Sequence, residues 1–75
     1  MDTYLAELRG LIYHYEAEEK VADLQAQVQA QGGAVLDSDT FSYLPIGGLR
    51  RLCVQATVQV AEPKKVKGWT LLRSR

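Results

Sequence analysis

The side chains in this sequence that could do chemistry are few. His14 is the only histidine and Cys53 the only cysteine, so a nucleophilic triad would have to join a carboxylate to His14 and to Cys53 or a serine. No serine sits in a Gly-x-Ser-x-Gly elbow. Cys53 falls between Arg51 and Gln55 on the polar side of an alternating run, where a basic neighbour would favour the thiolate. The plainer expectation is a half-exposed, unreactive thiol.

His14 and Glu18 stand four apart, with Glu7 near the same stripe of a helix. A histidine and two carboxylates could ligate a metal, but carboxylate sites in bundles draw such ligands from several helices. A surface pair is the simpler expectation. Asp37 and Asp39 in "DSDT" lack the glycine and closing glutamate of a calcium loop, and the stretch reads as a turn. The pairs Gly32-Gly33 and Gly47-Gly48 match no phosphate-binding loop. One Cys and one His cannot complete a zinc site. No catalytic, cofactor or metal site is expected, and the chain is read as a non-enzyme.

Seventy-five residues allow one small domain, for which a single core is marginal and an oligomeric partner is a common support. Apolar residues at 47% and charged residues at 24% are ordinary for a globular chain. No apolar run nears the roughly 18 residues of a membrane span, and "MDTYLAELRG" is not a basic leader with an apolar stretch. With its lone cysteine, the chain is expected in the cytoplasm, with no membrane partner.

The formal charge is zero, but it is unevenly placed. Residues 1–39 hold eight acids and two bases, a net of −6; residues 40–75 hold seven bases and one acid, a net of +6. Such polarity suggests a charged partner, or two halves that face each other.

The elements that must position these residues follow from periodicity. Asp2 can cap a helix, Gly32-Gly33 can stop one, and the intervening Ala, Leu, Glu and Gln favour it. A long N-terminal helix over about 3–31 is expected. Its apolar residues form two stripes, Tyr4-Leu8-Leu11-Tyr15 and Ala17-Val21-Leu24-Val28. At about 100° per residue the stripes lie on nearly opposite sides. One straight helix cannot bury both against one sheet, so it must bend or break near Gly10 or within "YHYEAEEK", or its second half must meet something else. Unbroken, it would be about 44 Å long and would overhang a compact domain only about 29 Å across.

Beyond the glycines, short strands are expected over about 34–37 and 40–44, with "SDT" turning the chain between them. Leu52, Val54, Ala56, Val58 and Val60 then alternate with polar partners, which marks the best strand, about 49–61, with one covered face. After "EPKK" a return strand over about 65–73 is expected, with a bulge at Gly68 letting Trp69 and Leu71 reach the core. The expected architecture is α+β, the helix covering a small antiparallel sheet.

Two functions fit these expectations. The first is a protein-interaction module, a small accessory subunit, adaptor or inhibitor, whose partner is another protein or a second copy. It would use Tyr13 as an anchor, the seam Ala17, Val21, Leu24 and Val28, and the basic residues Arg50, Arg51, Lys64, Lys65, Lys67 and Arg73. The second is single-stranded nucleic-acid binding, with those bases and Arg75 tracking phosphates on a C-terminal hairpin while Trp69 stacks a base. A pI near 6.5 favours the first.

Overall fold

The computed structural model describes residues 1–73. The chain is α+β: strand β1 (Asp2–Leu11), helix α1 (His14–Gln29), strands β2 (Ala34–Tyr43) and β3 (Arg51–Val60), a 3-10 turn (Pro63–Lys65) and strand β4 (Thr70–Arg73). All neighbouring strands pair antiparallel, in the order β2-β3-β1-β4. β1 and β2 therefore run parallel on either side of β3, and α1 makes the crossover between them, a split βαβ unit.

The expected N-terminal helix is corrected at its start: residues 2–11 are a strand, and the helix begins at His14. The two stripes are out of phase because Tyr4, Leu8 and Leu11 belong to a strand, and only Tyr15 shares the helix with the second stripe. Tyr4, Ala6 and Leu8 lie at alternate positions opposite Val58, Ala56 and Val54 of β3, so one face of β1 joins the sheet's apolar face. Partners on both sides, β3 and β4, override the helical preference of this segment. The helix of 16 residues is about 24 Å long and matches a molecule of 39 × 25 × 19 Å without overhang.

Both helix ends have local causes. Glu16 reaches back to accept the Tyr13 backbone N–H at 3.1 Å, half of a capping box. At the other end Gly32 takes a left-handed φ of 76°. Its N–H donates to Gln29 O at 2.9 Å, and that of Gly33 to Val28 O at 3.0 Å, the paired closing bonds of a glycine-terminated helix.

Three strand expectations also change. β2 is continuous from Ala34 to Tyr43, with a register shift between Val35 and Asp37 in place of a turn at "SDT". β4 is short, because Pro63–Lys65 forms a 3-10 turn. Above all, β4 pairs with β1. β1 lies between β3 and β4, so among the described residues these two strands do not form the expected basic hairpin.

The core lies between α1 and the sheet. Leu24 and Val28 of the helix cluster with Ala6, Ala56, Val58, Val60 and Val66, all buried, and Tyr4, Val35, Trp69 and Leu71 pack at its margin. Ala6 and Ala56 face each other across β1 and β3. Each fully buried Val or Leu contributes about 1.5–3 kcal/mol. Trp69 and Leu71 reach the core as expected, Gly68 turning the chain at a φ of 86°.

Gln27 and Gln31, one helical turn apart, fasten the segment after β3 to this layer. Gln27 accepts the Lys67 N–H at 2.7 Å and donates to its carbonyl at 2.9 Å. Gln31 does the same for Glu62, at 2.8 and 2.9 Å.

Candidate functional site

The residues with chemical potential are kept apart by this fold. His14 and Glu18 are exposed on the first turns of α1, while Glu7 lies on β1. There Glu7 accepts from Gln55 Nε2 at 2.9 Å and Arg9 Nε at 2.7 Å. The Gln55 bond, then the Arg9 bond, hold its carboxyl below the usual value of 4.5. Glu7 in turn raises the pKa of Arg9. Among the described residues, no group of three or more His, Cys, Asp or Glu is placed to hold a metal.

Cys53 does face away from the helix, with Arg9 and Phe41 as cross-strand neighbours. It is fully buried rather than half-exposed. Burial pushes its thiol up, Glu7 adds to that, and Arg9 opposes it. The thiolate is disfavoured, and with it nucleophilic chemistry.

The residues singled out for a partner fall into three places. Ala17, Leu24 and Val28 are buried, the last two in the core cluster. The seam is thus spent on the chain's own sheet, and only Val21 stays half-exposed. Lys64, Lys65 and Lys67 ride on or beside the 3-10 turn, where Lys65 pairs with Glu62 at 2.7 Å. The Glu62 contact raises the Lys65 pKa. Arg73 on β4 pairs with Asp2 at 3.1 Å. Tyr13, Arg50 and Arg51 form the third group, and they alone stand with other exposed features. Arg75 lies outside the described residues.

That third place is one end of the sheet. Leu11 pairs with Leu52, and Tyr43 with Arg51, so the β1–α1 link and the β2–β3 loop, residues 44–50, emerge side by side. Ten large apolar side chains are exposed among the described residues, and six belong here: Ile12, Tyr13, Tyr15, Leu44, Ile46 and Leu49, each more than half exposed. Ile46, at 107% of its reference exposure, tops a turn closed by Gly48 N–H to Pro45 O at 3.1 Å. Gly47 supplies the positive φ, 72°, that the third position of such a turn requires. Tyr13 and Tyr15 stack with ring centres 5.4 Å apart. The Arg9 guanidinium lies 5.7 Å from the centre of the Tyr43 ring.

Charge singles out the same end. Residues 8–15 and 40–61 contain no acid, and neither Arg50 nor Arg51 has a carboxylate partner among the described residues. Arg50 donates to Ser42 Oγ at 3.3 Å and Arg51 to the Arg50 carbonyl at 3.4 Å.

Sequence reasoning named Tyr13, Arg50 and Arg51, gave Tyr15 only as one of a helical stripe, and missed Ile12, Leu44, Ile46 and Leu49. The available signal was "LPIGGL", three large apolar residues in a Pro/Gly loop where polar ones are the rule. No protein-family model, no curated protein and no solved structure matches the chain.

Proposed function

We propose that this chain is a non-enzymatic interaction module, an adaptor or accessory subunit, that docks on a protein partner through the apolar end formed by the β1–α1 link and the β2–β3 loop. One observation carries the reading: of the ten large apolar side chains exposed among the described residues, six lie on the link, the loop and the first turn of α1 at this one end, with Ile46 wholly in water at the apex of a glycine turn. Scattered exposed apolar residues need no explanation, but a contiguous group marks a contact surface. Arg50, Arg51 and the two tyrosines fit the composition of such surfaces, where Arg and Tyr are enriched.

Nothing favours the nucleic-acid reading over this one. Its described bases are dispersed over β3, the 3-10 turn, β4 and the two loops beside them, and its stacking residue, Trp69, packs against the core.

The test is a photo-reactive residue at position 46, compared with one at position 57 in the open face of the sheet. The expected outcome is a defined protein adduct from position 46 and none from 57. Absence of any adduct at 46, in cells that express the chain, would sink the proposal.

A further inference from the structure

We infer that the outer edge of β2 takes up an extended, basic segment of another protein as an added strand of the sheet. This edge is a different surface from the apolar end, and the inference does not rest on that reading.

The edge itself comes first. β2 is the outermost strand on one side of the sheet, and its pairing with β3 uses only one of its two edges. Backbone groups of a strand alternate between its edges, so half of those in β2 point outward. Residues 37–43 pair with β3 without a register shift and contain neither proline nor a base. An unbroken edge of ordinary strand length is what strand addition uses. The outer strand on the other side, β4, has only four residues.

The two faces of β2 then state what the added strand must carry. Ser38 and Thr40 lie opposite Ala56 and Val54, on the helix side. There they form one wall of a groove of about 350 Å³, whose other wall is Ala17, Val21 and Ala22 of α1. A strand added about 4.8 Å beyond β2 would run along this groove and fill it with its helix-side residues. Short or branched aliphatic side chains suit such methyl-lined walls.

Asp37 and Asp39 lie opposite Thr57 and Gln55, on the face turned away from the helix. Both are exposed. Asp37 accepts the Ser38 N–H at 2.9 Å, and neither acid is in an ion pair among the described residues. Phe41, the next side chain on that face, is exposed as well. Opposite charges across adjacent strands stabilise a pair, and a guanidinium also suits an aromatic ring. The segment that satisfies both faces alternates basic residues with small aliphatic ones.

The same charges exclude a second copy. Centred antiparallel pairing of two β2 edges would set Asp37 against Asp39 twice, and like charges directly opposite destabilise a pair. The outer edge of β4 offers Thr70 and Leu72 on the open face and no base there. The partner is therefore another chain.

The test is a nuclear magnetic resonance titration of the full chain with a blocked peptide alternating Arg and Val, about seven residues long. Saturable binding is expected at about 1 mM peptide or below. Alternate amides within residues 37–43 should exchange more slowly, and the peptide Val methyls should give contacts to Val21 and Ala22. A peptide alternating Glu and Val should not bind. Asp37→Asn with Asp39→Asn, both exposed positions, should weaken binding by about three- to tenfold with an unchanged circular dichroism spectrum.

No binding of the basic peptide overturns the inference, as does equal binding of the acidic one. So does binding without slowed exchange in β2, which is a charge contact and not an added strand, or a double variant that binds like the wild type. Slowed exchange that grows with chain concentration and needs no peptide would give the edge to a second copy and overturns it too. Loss of the adduct at position 46 leaves this edge untouched, and loss of peptide binding leaves the apolar end standing.

Discussion

Gly33 sits so close to β3 that a Cβ on it would lie 1.9 Å from the carbonyl oxygen of Gln59 and 3.1 Å from a methyl of Val28. The link from α1 to β2 is thus pinned against the central strand, and β2 leaves the helix already in register, Ala34 opposite Gln59. Backbone cannot yield as a flexible side chain can. Gly33→Ala should therefore destabilise the chain by about 2 kcal/mol or more, as an overpacking change. Gly48→Ala, whose nearest neighbour would be Pro45 at 3.4 Å, should stay within about 0.5 kcal/mol of the wild type. Urea unfolding of both variants checks the contrast.

Leu24 is wholly buried while Gln25, the next residue, is exposed. Leu24→Ala should cost about 3 kcal/mol, and Gln25→Ala should change stability by less than about 0.5 kcal/mol. Equal, small effects in thermal unfolding would mean that the helix stripe does not serve the core.

The indole Nε1 of Trp69 is buried without a hydrogen-bond partner while its ring packs on the core. Keeping the apolar ring and removing the N–H relieves an unmet donor. Trp69→Phe should thus lie within about 1 kcal/mol of the wild type, and Trp69→Ala should lose about 2–3 kcal/mol. The wild-type fluorescence should be blue-shifted and unquenched by a single-stranded oligonucleotide. Quenching on titration would revive the stacking role.

Glu7 has a folded pKa below its ordinary value, chiefly through the Gln55 hydrogen bond and then the Arg9 contact. Between the two pKa values the unfolded chain binds the more protons, so stability rises with pH there. The contribution is present above the ordinary value of 4.5 and is lost as pH falls through the depressed one. Glu7→Gln should accordingly flatten the loss of melting temperature on acidification below about pH 4.5, and leave the pH dependence from 6 upward unaltered. A variant as acid-sensitive as the wild type would show that Glu7 does not titrate in this way.

How much of this was legible in the sequence depends on how local each cause is. The alternation from Leu52 to Val60 marked β3 because its two faces differ within the strand itself. The helix stop at Gly32-Gly33 was legible from residue type, since few other residues adopt a left-handed φ there. The charge split between the halves needed only counting. That the two apolar stripes could not share one straight helix was also evident, and the chain does change element, at residues 12 and 13.

What only the tertiary structure decided is pairing. Tyr4, Leu8, Leu11 and Tyr15 fit a helical stripe, while Tyr4, Ala6 and Leu8 fit a strand, and nothing local chooses between them. The choice came from residues about 40–70 positions away, β3 on one side of β1 and β4 on the other, because a sheet is stabilised by its cross-strand contacts more than by intrinsic preference. The same insertion of β1 between β3 and β4 undid the basic hairpin, and the return of β2 beside β3 set Leu44, Ile46 and Leu49 at the end where Ile12, Tyr13 and Tyr15 emerge. Residue types are a local property, but a surface is assembled from segments that meet only when the sheet closes.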